Sequence, residues 1–254
     1  MKMSKFAKFT VLSLLSLGLM AYVVYAMFFL SSPDDEERCS VVELTVEKAD
    51  GALVFMDGTD IEKMLKNANV YPKGMLMKDV DTEKIEEIIK GNEFISKVEC
   101  YKSANGKLCV NVEQRIPVIF VIPDGKDGYF VDAQGNIIPN KNSGTNLMVA
   151  SGAIDEKYAR KELADFGQFL QQDDFWNNQI EQIYVMKDRK GKPVVELVPR
   201  VGDQIIFLGV LDDYQKKLQK LKTFYEKAVE TVGWRKYARV NLEYDNQIIC
   251  TKRK

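Results

Sequence analysis

The stretch NEFISKVECYKSANGKLCVNVEQRIPV, residues 92–118, decides how the middle of the chain folds. Val98 and Cys100 alternate with polar residues before the central SANG, and Leu108, Val110 and Val112 alternate after it. An apolar residue at every second position is typical of a half-buried strand. The stretch therefore predicts a hairpin of two strands, near 98–102 and 107–113, whose apolar faces belong to the core.

The same alternation separates the two cysteines of this hairpin. Cys100 shares a face with the core positions, whereas Cys109 points to the opposite face. Residues directly opposite each other on paired strands share a face, so we expect these two cysteines to be free thiols. The sequence gives no geometry for Cys39 and Cys250.

Two amphipathic helices are predicted before the hairpin, over 58–69 and 82–90. Their apolar positions are Ile61, Leu65 and Ala68 in the first and Ile85, Ile88 and Ile89 in the second. The preceding SVVELTVE, residues 40–47, has the pattern of a strand. The order strand, helix, helix, strand, strand predicts a compact α+β domain, with two helices on one face of a three-stranded sheet.

Near the start, residues 9–30 read FTVLSLLSLGLMAYVVYAMFFL and carry no charge. About 20 apolar residues suffice to cross a bilayer. Lysines precede this run and Asp34 to Glu37 follow it, so we expect a cytoplasmic N-terminus and an extracytoplasmic remainder. A cleaved signal peptide is the alternative, but its apolar core is only about 7 to 15 residues long and ends in small residues.

The composition excludes many classes of enzyme. The chain has no histidine, which removes Ser-His and Cys-His nucleophiles and HExxH zinc sites. It has no phosphate-binding glycine motif, its four cysteines form no CxxC pair, and its net charge of -1 gives no case for nucleic acid. We expect no catalytic residue, metal, cofactor or small-molecule ligand. A serine–lysine hydrolase stays open, with candidates Ser31, Ser32, Ser143 and Ser151.

The residues after 117 predict a second domain of mixed α/β type with a mainly antiparallel sheet. GYFVDAQGNIIP, residues 128–139, places Asp132 and Gly135 in a tight turn between short strands. An amphipathic helix is predicted over 155–170, then strands near 180–187, 193–198 and 204–208. A helix beginning near Asp212 precedes two final strands that turn at Asp245 and Asn246.

Taken in order, these segments resemble the FtsQ/DivIB family of bacterial cell-division proteins, which carry a POTRA domain. Two departures stand out: Gln114 is an extra residue between Glu113 and Arg115, and Glu243 replaces an arginine of the family's DLRY motif. The matching positions are Gly74, Leu76, Phe94, Ile95, Val98, Cys100, Leu108, Val110, Val112, Glu113, Arg115 and Pro117, then Gly209, Lys217 and Leu221, and finally residues 241–244.

The resemblance implies a single-pass protein of the bacterial inner membrane, gathered at midcell. The implied divisions are a cytoplasmic tail over 1–8, a transmembrane helix over 9–30, a linker over 31–39, a POTRA domain over 40–117 and a C-terminal domain over 118–254. Its implied role is a non-enzymatic division scaffold that helps to recruit and regulate septal peptidoglycan synthesis. A POTRA-bearing accessory of protein secretion or outer-membrane assembly is the alternative.

The resemblance also implies protein partners, namely FtsB-like and FtsL-like bitopic coiled-coil proteins. In the family they add a strand to the terminal strand of the sheet, which lies near 247–252 in this chain. We expect contacts there, mostly through backbone groups, from Tyr244, Gln247, Ile248, Ile249 and Thr251. Alternatively, Ile248 and Cys250 face inward and only terminate the sheet.

Overall fold

The computed structural model describes residues 5–29, 36–47, 53–141, 147–229, 233 and 236–253; the side chains of 5–12, 27–29 and 228–229 are not included. The chain divides into two compact units. The first comprises Met1–Thr45, Ile61–Ile89 and Val98–Asn111, and the second Val46–Asp60, Lys90–Lys97 and Val112–Lys254. Part of the predicted linker, residues 31–35, lies outside the description.

Helix α1 spans Lys5–Phe29 and contains most of the apolar run. Its apolar side chains between positions 14 and 25 are exposed, and Leu14 and Met20 are each 70% accessible. Among the described residues, however, no helix is long and apolar enough to cross a membrane. The predicted span over 9–30, whose two ends have no described side chains, is therefore not confirmed.

The next elements reproduce the predicted order of strand, helix, helix, strand, strand. They are β1 (Val41–Glu47), α2 (Gly58–Asn67), a 3-10 turn (Met77–Asp79), α3 (Thr82–Lys90), β2 (Ile95–Ser103) and β3 (Lys107–Gln114). The sheet order is β1-β3-β2, so the last strand in sequence lies in the centre. The predicted core positions Ile61, Leu65, Ile85 and Ile89 are all buried.

Helix α2 ends earlier than predicted. Asn69 adopts a positive φ of 56°, and the N–H groups of Asn69 and Val70 donate to the carbonyls of Lys66 and Leu65. This is the Schellman arrangement, which satisfies the last carbonyls of a helix. Ala68 is consequently exposed and is not a core residue.

The hairpin of β2 and β3 is closed by Asn105 and Gly106, which have φ of 62° and 61°. Two consecutive positive φ values are the signature of a type I′ turn. Cys100 and Cys109 are both free, as expected. Both are also buried, although Cys109 was expected to face away from the core. The Cys109 thiol lies 3.7 Å from the carboxylate of Glu43. Burial raises the pKa of Cys100 to about 12, with a contribution from the charge of Glu86.

The second unit contains a nine-stranded sheet of order β12-β11-β10-β9-β8-β7-β4-β5-β6. Five neighbouring pairs are antiparallel and three are parallel, so the sheet is mainly antiparallel as predicted. Its strands are β4 (Pro117–Pro123), β5 (Tyr129–Asp132), β6 (Ile137–Pro139), β7 (Val149–Gly152), β8 (Ile180–Lys187), β9 (Pro193–Pro199), β10 (Ile205–Gly209), β11 (Tyr237–Asn241) and β12 (Ile249–Lys252).

The helices of this unit contribute apolar side chains to the same core as the sheet. They are α4 (Glu156–Tyr158), continued by a π-helical turn (Ala159–Leu163) into α5 (Ala164–Gln172), then α6 (Asp174–Gln179) and α7 (Tyr214–Phe224), which ends in a π-helical turn (Tyr225–Val229). Phe166 and Leu170 of α5, and Leu218 and Leu221 of α7, are completely buried. α5 contacts β4 closely, because Gly167 leaves room for the side chain of Ile119.

The end of β3 and the residues that follow it are held by polar contacts within the second unit. The Gln114 side-chain oxygen accepts hydrogen bonds from the N–H groups of Phe55 and Met56, both at 2.9 Å. Arg115 donates at 2.9 Å to the carboxylate of Asp132, which is 1% exposed. The extra residue Gln114 thus has a structural role, because its side chain accepts two backbone hydrogen bonds.

Asp132 also organises the predicted tight turn. Its carboxylate accepts the N–H groups of Gln134 and Asn136, and its carbonyl accepts that of Gly135 at 3.0 Å. Gly135 has a φ of 78°, and a Cβ added there would lie 2.0 Å from the carbonyl oxygen of Arg160. Only glycine fits at this position.

Replacing Gly135 by alanine is expected to lower the free energy of unfolding by about 3 kcal/mol or more, because backbone strain and a backbone clash add together. Gly125→Ala is the matched control: its φ is also positive, at 68°, but nothing lies within 4 Å of the added methyl. Its cost should be about 1 kcal/mol. Equal costs for the two variants in urea denaturation would contradict the role of the Arg160 contact.

Candidate functional site

The terminal strand β12 lies at one edge of the nine-stranded sheet. It pairs antiparallel with β11, with Asn241 opposite Ile249 and Arg239 opposite Thr251. No strand lies beyond β12 in the part of the chain that the structure describes. An edge strand carries a row of unpaired N–H and C=O groups, to which another strand can add.

The hydrogen bonds after β12 show which of its backbone groups face outward. The N–H of Arg253 donates to the carbonyl of Lys236 at 3.0 Å, toward the β11 side. Successive residues of a strand direct their backbone groups to alternate sides. The N–H and C=O groups of Cys250 and Lys252 therefore face the free edge, and those of Thr251 face β11.

The predicted partner-binding residues are close together but do not all lie on this strand. Ile249 and Thr251 belong to β12, whereas Gln247 and Ile248 precede it and Tyr244 lies in a bend. Tyr244 and Ile249 are exposed, at 46% and 43%. The strand begins at Ile249, two residues later than predicted.

The inward alternative holds for two of the side chains. Ile248 and Cys250 are partly buried and pack against the hydrophobic core. Burial also raises the pKa of the Cys250 thiol. Cys250 thus combines an inward side chain with an outward backbone, so packing and strand addition are compatible in one residue.

Lysines of α7 hold the segment around the predicted site. The Lys220 ammonium group donates to the carbonyl of Tyr244 and, at 3.4 Å, to that of Leu242. Lys217, a position of the family pattern, is 6% exposed and donates to the carbonyl of Val210 at 2.8 Å and to the carboxylate of Asp212. The Lys220 bonds thus tie α7 to the segment before β12, and the Lys217 bonds tie α7 to the loop that follows β10.

A groove that sequence analysis did not predict lies beside this strand. It has a volume of about 750 Å³ and runs between α7 and the turn that precedes β12. Phe224 and Ile248 provide apolar surface, while Lys216 and Lys220 lie along the helix side. The apolar spacing of α7 predicts only which face of the helix is buried. It does not predict the groove, because the groove forms where the turn approaches the opposite side of the helix.

Charge in this part of the chain differs from the chain as a whole. Residues 214–254 contain 11 lysines and arginines but only four acidic residues, whereas the complete chain has a net charge of -1. Near the basic end, Arg253 is paired with the exposed Asp203 at 2.8 Å. Lys254 lies outside the described residues.

Of the four serines considered for catalysis, Ser151 is the one that the structure describes. Ser31, Ser32 and Ser143 lie outside the described residues. The Ser151 hydroxyl accepts a hydrogen bond from the side-chain amide of Gln182 at 2.8 Å. No group of carboxylates and cysteines that could hold a metal ion occurs among the described residues.

Comparison with known proteins agrees with both halves of this architecture. Residues 37–113 match a POTRA-like domain, and residues 116–251 match the family described as FtsQ/DivIB, C-terminal related. None of the curated proteins compared with the chain matches it. The second match alone covers more than half of the sequence, and it includes the nine-stranded sheet up to Thr251 in β12. The chain therefore belongs to the FtsQ/DivIB family.

Proposed function

We propose that this chain is a non-enzymatic scaffold of the bacterial division machinery, which docks partner proteins by strand addition at β12. The observation that carries the proposal is a free strand edge next to a partly apolar groove. Membership of a family of division scaffolds gives the cellular process. The proposal includes the five divisions inferred from the sequence, namely the cytoplasmic tail, the transmembrane helix, the linker, the POTRA domain and the C-terminal domain.

The docking reaction follows from the direction of the backbone groups. An extended partner segment pairs with the outward N–H and C=O groups of Cys250 and Lys252. Main-chain hydrogen bonds supply affinity in this mode of recognition, and side-chain pockets supply specificity. The groove beside α7 receives side chains of the partner residues that flank the added strand. The lysines of the groove favour acidic side chains at those partner positions.

We propose FtsB-like and FtsL-like bitopic proteins as the partners, because the resemblance to the FtsQ/DivIB family implies them. In this proposal, docking them helps to recruit and regulate septal peptidoglycan synthesis, and the scaffold itself catalyses no reaction. The contacts we assign to them are the side chains of Tyr244, Gln247, Ile249 and Thr251 and the groove-facing Ile248. Residues 9–30 serve as the single membrane anchor in this proposal, supported by the length and apolarity of the run.

Photoreactive residues introduced at Ile249 and Thr251 test the site in growing cells. Bitopic division proteins should crosslink there at least about fivefold more strongly than at Tyr184, which is equally exposed but lies on the interior strand β8. The captured proteins are identified by mass spectrometry. Equal capture at all three positions, or capture of secretion components alone, would contradict the proposal.

A proline at Lys252 tests strand addition itself. Lys252→Pro removes an outward N–H that the native sheet does not use, and proline is tolerated at such edge positions. Relative to Lys252→Ala, which loses the same charge, partner capture should weaken at least about fivefold, the effect of roughly one hydrogen bond.

Thermal unfolding separates this loss from a loss of folding. Lys252→Pro and Lys252→Ala should unfold at similar temperatures, whereas Thr251→Pro should be clearly destabilised, because the Thr251 N–H faces β11. Wild-type partner capture by Lys252→Pro would show that strand addition at β12 is not the docking mode.

Membrane attachment is tested by alkaline carbonate extraction. The full chain should stay in the membrane fraction, and a chain that lacks residues 9–30 should be released. A soluble full-length chain would remove the anchor from the proposal while leaving the docking site at β12 unaffected.

A further inference from the structure

The three-stranded sheet also has free edges, and β2 forms one of them. β2 is nine residues long, and most of its side chains are exposed, including Tyr101 at 49%. A strand of this length with exposed side chains is a template for pairing with another chain unless something covers its edge.

A side chain from α3 meets the backbone of β2. The Cys100 N–H donates at 2.6 Å to a carboxylate oxygen of Glu86. Because β3 is the strand that neighbours β2, an N–H that donates to Glu86 instead lies on the side of β2 that faces away from β3. Glu86 therefore occupies the position that the carbonyl of an added strand would take.

We propose that Glu86 closes the β2 edge against strand addition. Its carboxylate satisfies the outward N–H of Cys100, and a hydrogen bond to an ionised acceptor is stronger than one to a neutral carbonyl. An incoming strand has to displace this carboxylate before it can pair. The first unit thus holds a second strand-addition site in a closed state.

The surroundings of Cys100 agree with this closure. The Cys100 thiol is 9% exposed, and burial followed by the charge of Glu86 raises its pKa. The carboxylate thus acts on the Cys100 side chain as well as on its N–H. Glu87, the next residue of α3, is exposed, and the structure shows no hydrogen bond from β2 to it among the described contacts.

Hydrogen exchange and native mass spectrometry of the full chain in mild detergent test the proposal. Glu86→Ala should make amides of residues 98–103 exchange at least about tenfold faster and should produce dimers that increase with concentration. Alanine has the highest helix propensity, so α3 is retained. Glu87→Ala is the matched control, because it removes the same charge from the next position of α3. It should remain monomeric, with wild-type hydrogen exchange at residues 98–103.

Glu86→Gln separates the hydrogen-bond acceptor from the charge. The amide oxygen can accept the same N–H, so this variant should stay monomeric, with slow exchange at 98–103. Exchange in peptides from α2, whose residues 61–67 belong to the same unit as Glu86, reports on the fold of that unit and should not change in any variant. Wild-type exchange or a monomeric state in Glu86→Ala, or dimers in Glu86→Gln, would overturn the proposal. The test needs no partner, so its result is independent of docking at β12.

Discussion

A β-sheet that does not close on itself has two edge strands, and this constraint governs where the protein can be bound. The interior strands of the nine-stranded sheet have a neighbour on each side, so among the described residues β6 and β12 are the strands of this sheet with one open side. Helix residues such as Phe166 and Leu221 are buried in the core that this sheet shares with its helices.

The edge strands differ in how far their outward backbone groups are available for strand addition. β6 is only three residues long and ends at Pro139, which has no N–H to donate. β2 is long, but Glu86 satisfies an outward N–H. β12 has neither feature: its outward groups belong to Cys250 and Lys252, and a groove adjoins it. A short strand, a proline and a carboxylate are different devices that restrict strand addition, and of the edge strands β2, β6 and β12 the last has none of them.

Much of the fold was predictable because it depends on local periodicity. The hairpin strands, α3 and the turn at Asp132 follow from alternation, helical spacing and glycine at a positive φ. β4 and β7 were not predicted, because both are interior strands with parallel neighbours. PVIFVIP of β4 is continuously apolar, a pattern that does not distinguish a buried strand from other buried segments. The groove depends on contacts between α7 and a distant turn, which no local pattern encodes.

The segment between β3 and β4 shows why a motif position does not specify its partner. The family pattern places an acid beside Arg115, and the extra Gln114 removes that neighbour. In the structure Arg115 pairs instead with Asp132, a residue of another motif, and Gln114 holds the N–H groups of Phe55 and Met56. A buried carboxylate needs a cation or several donors, whatever the spacing along the chain. Asp132 also closes the turn after β5, so one carboxylate serves both the Arg115 contact and the turn within the sheet that ends in β12.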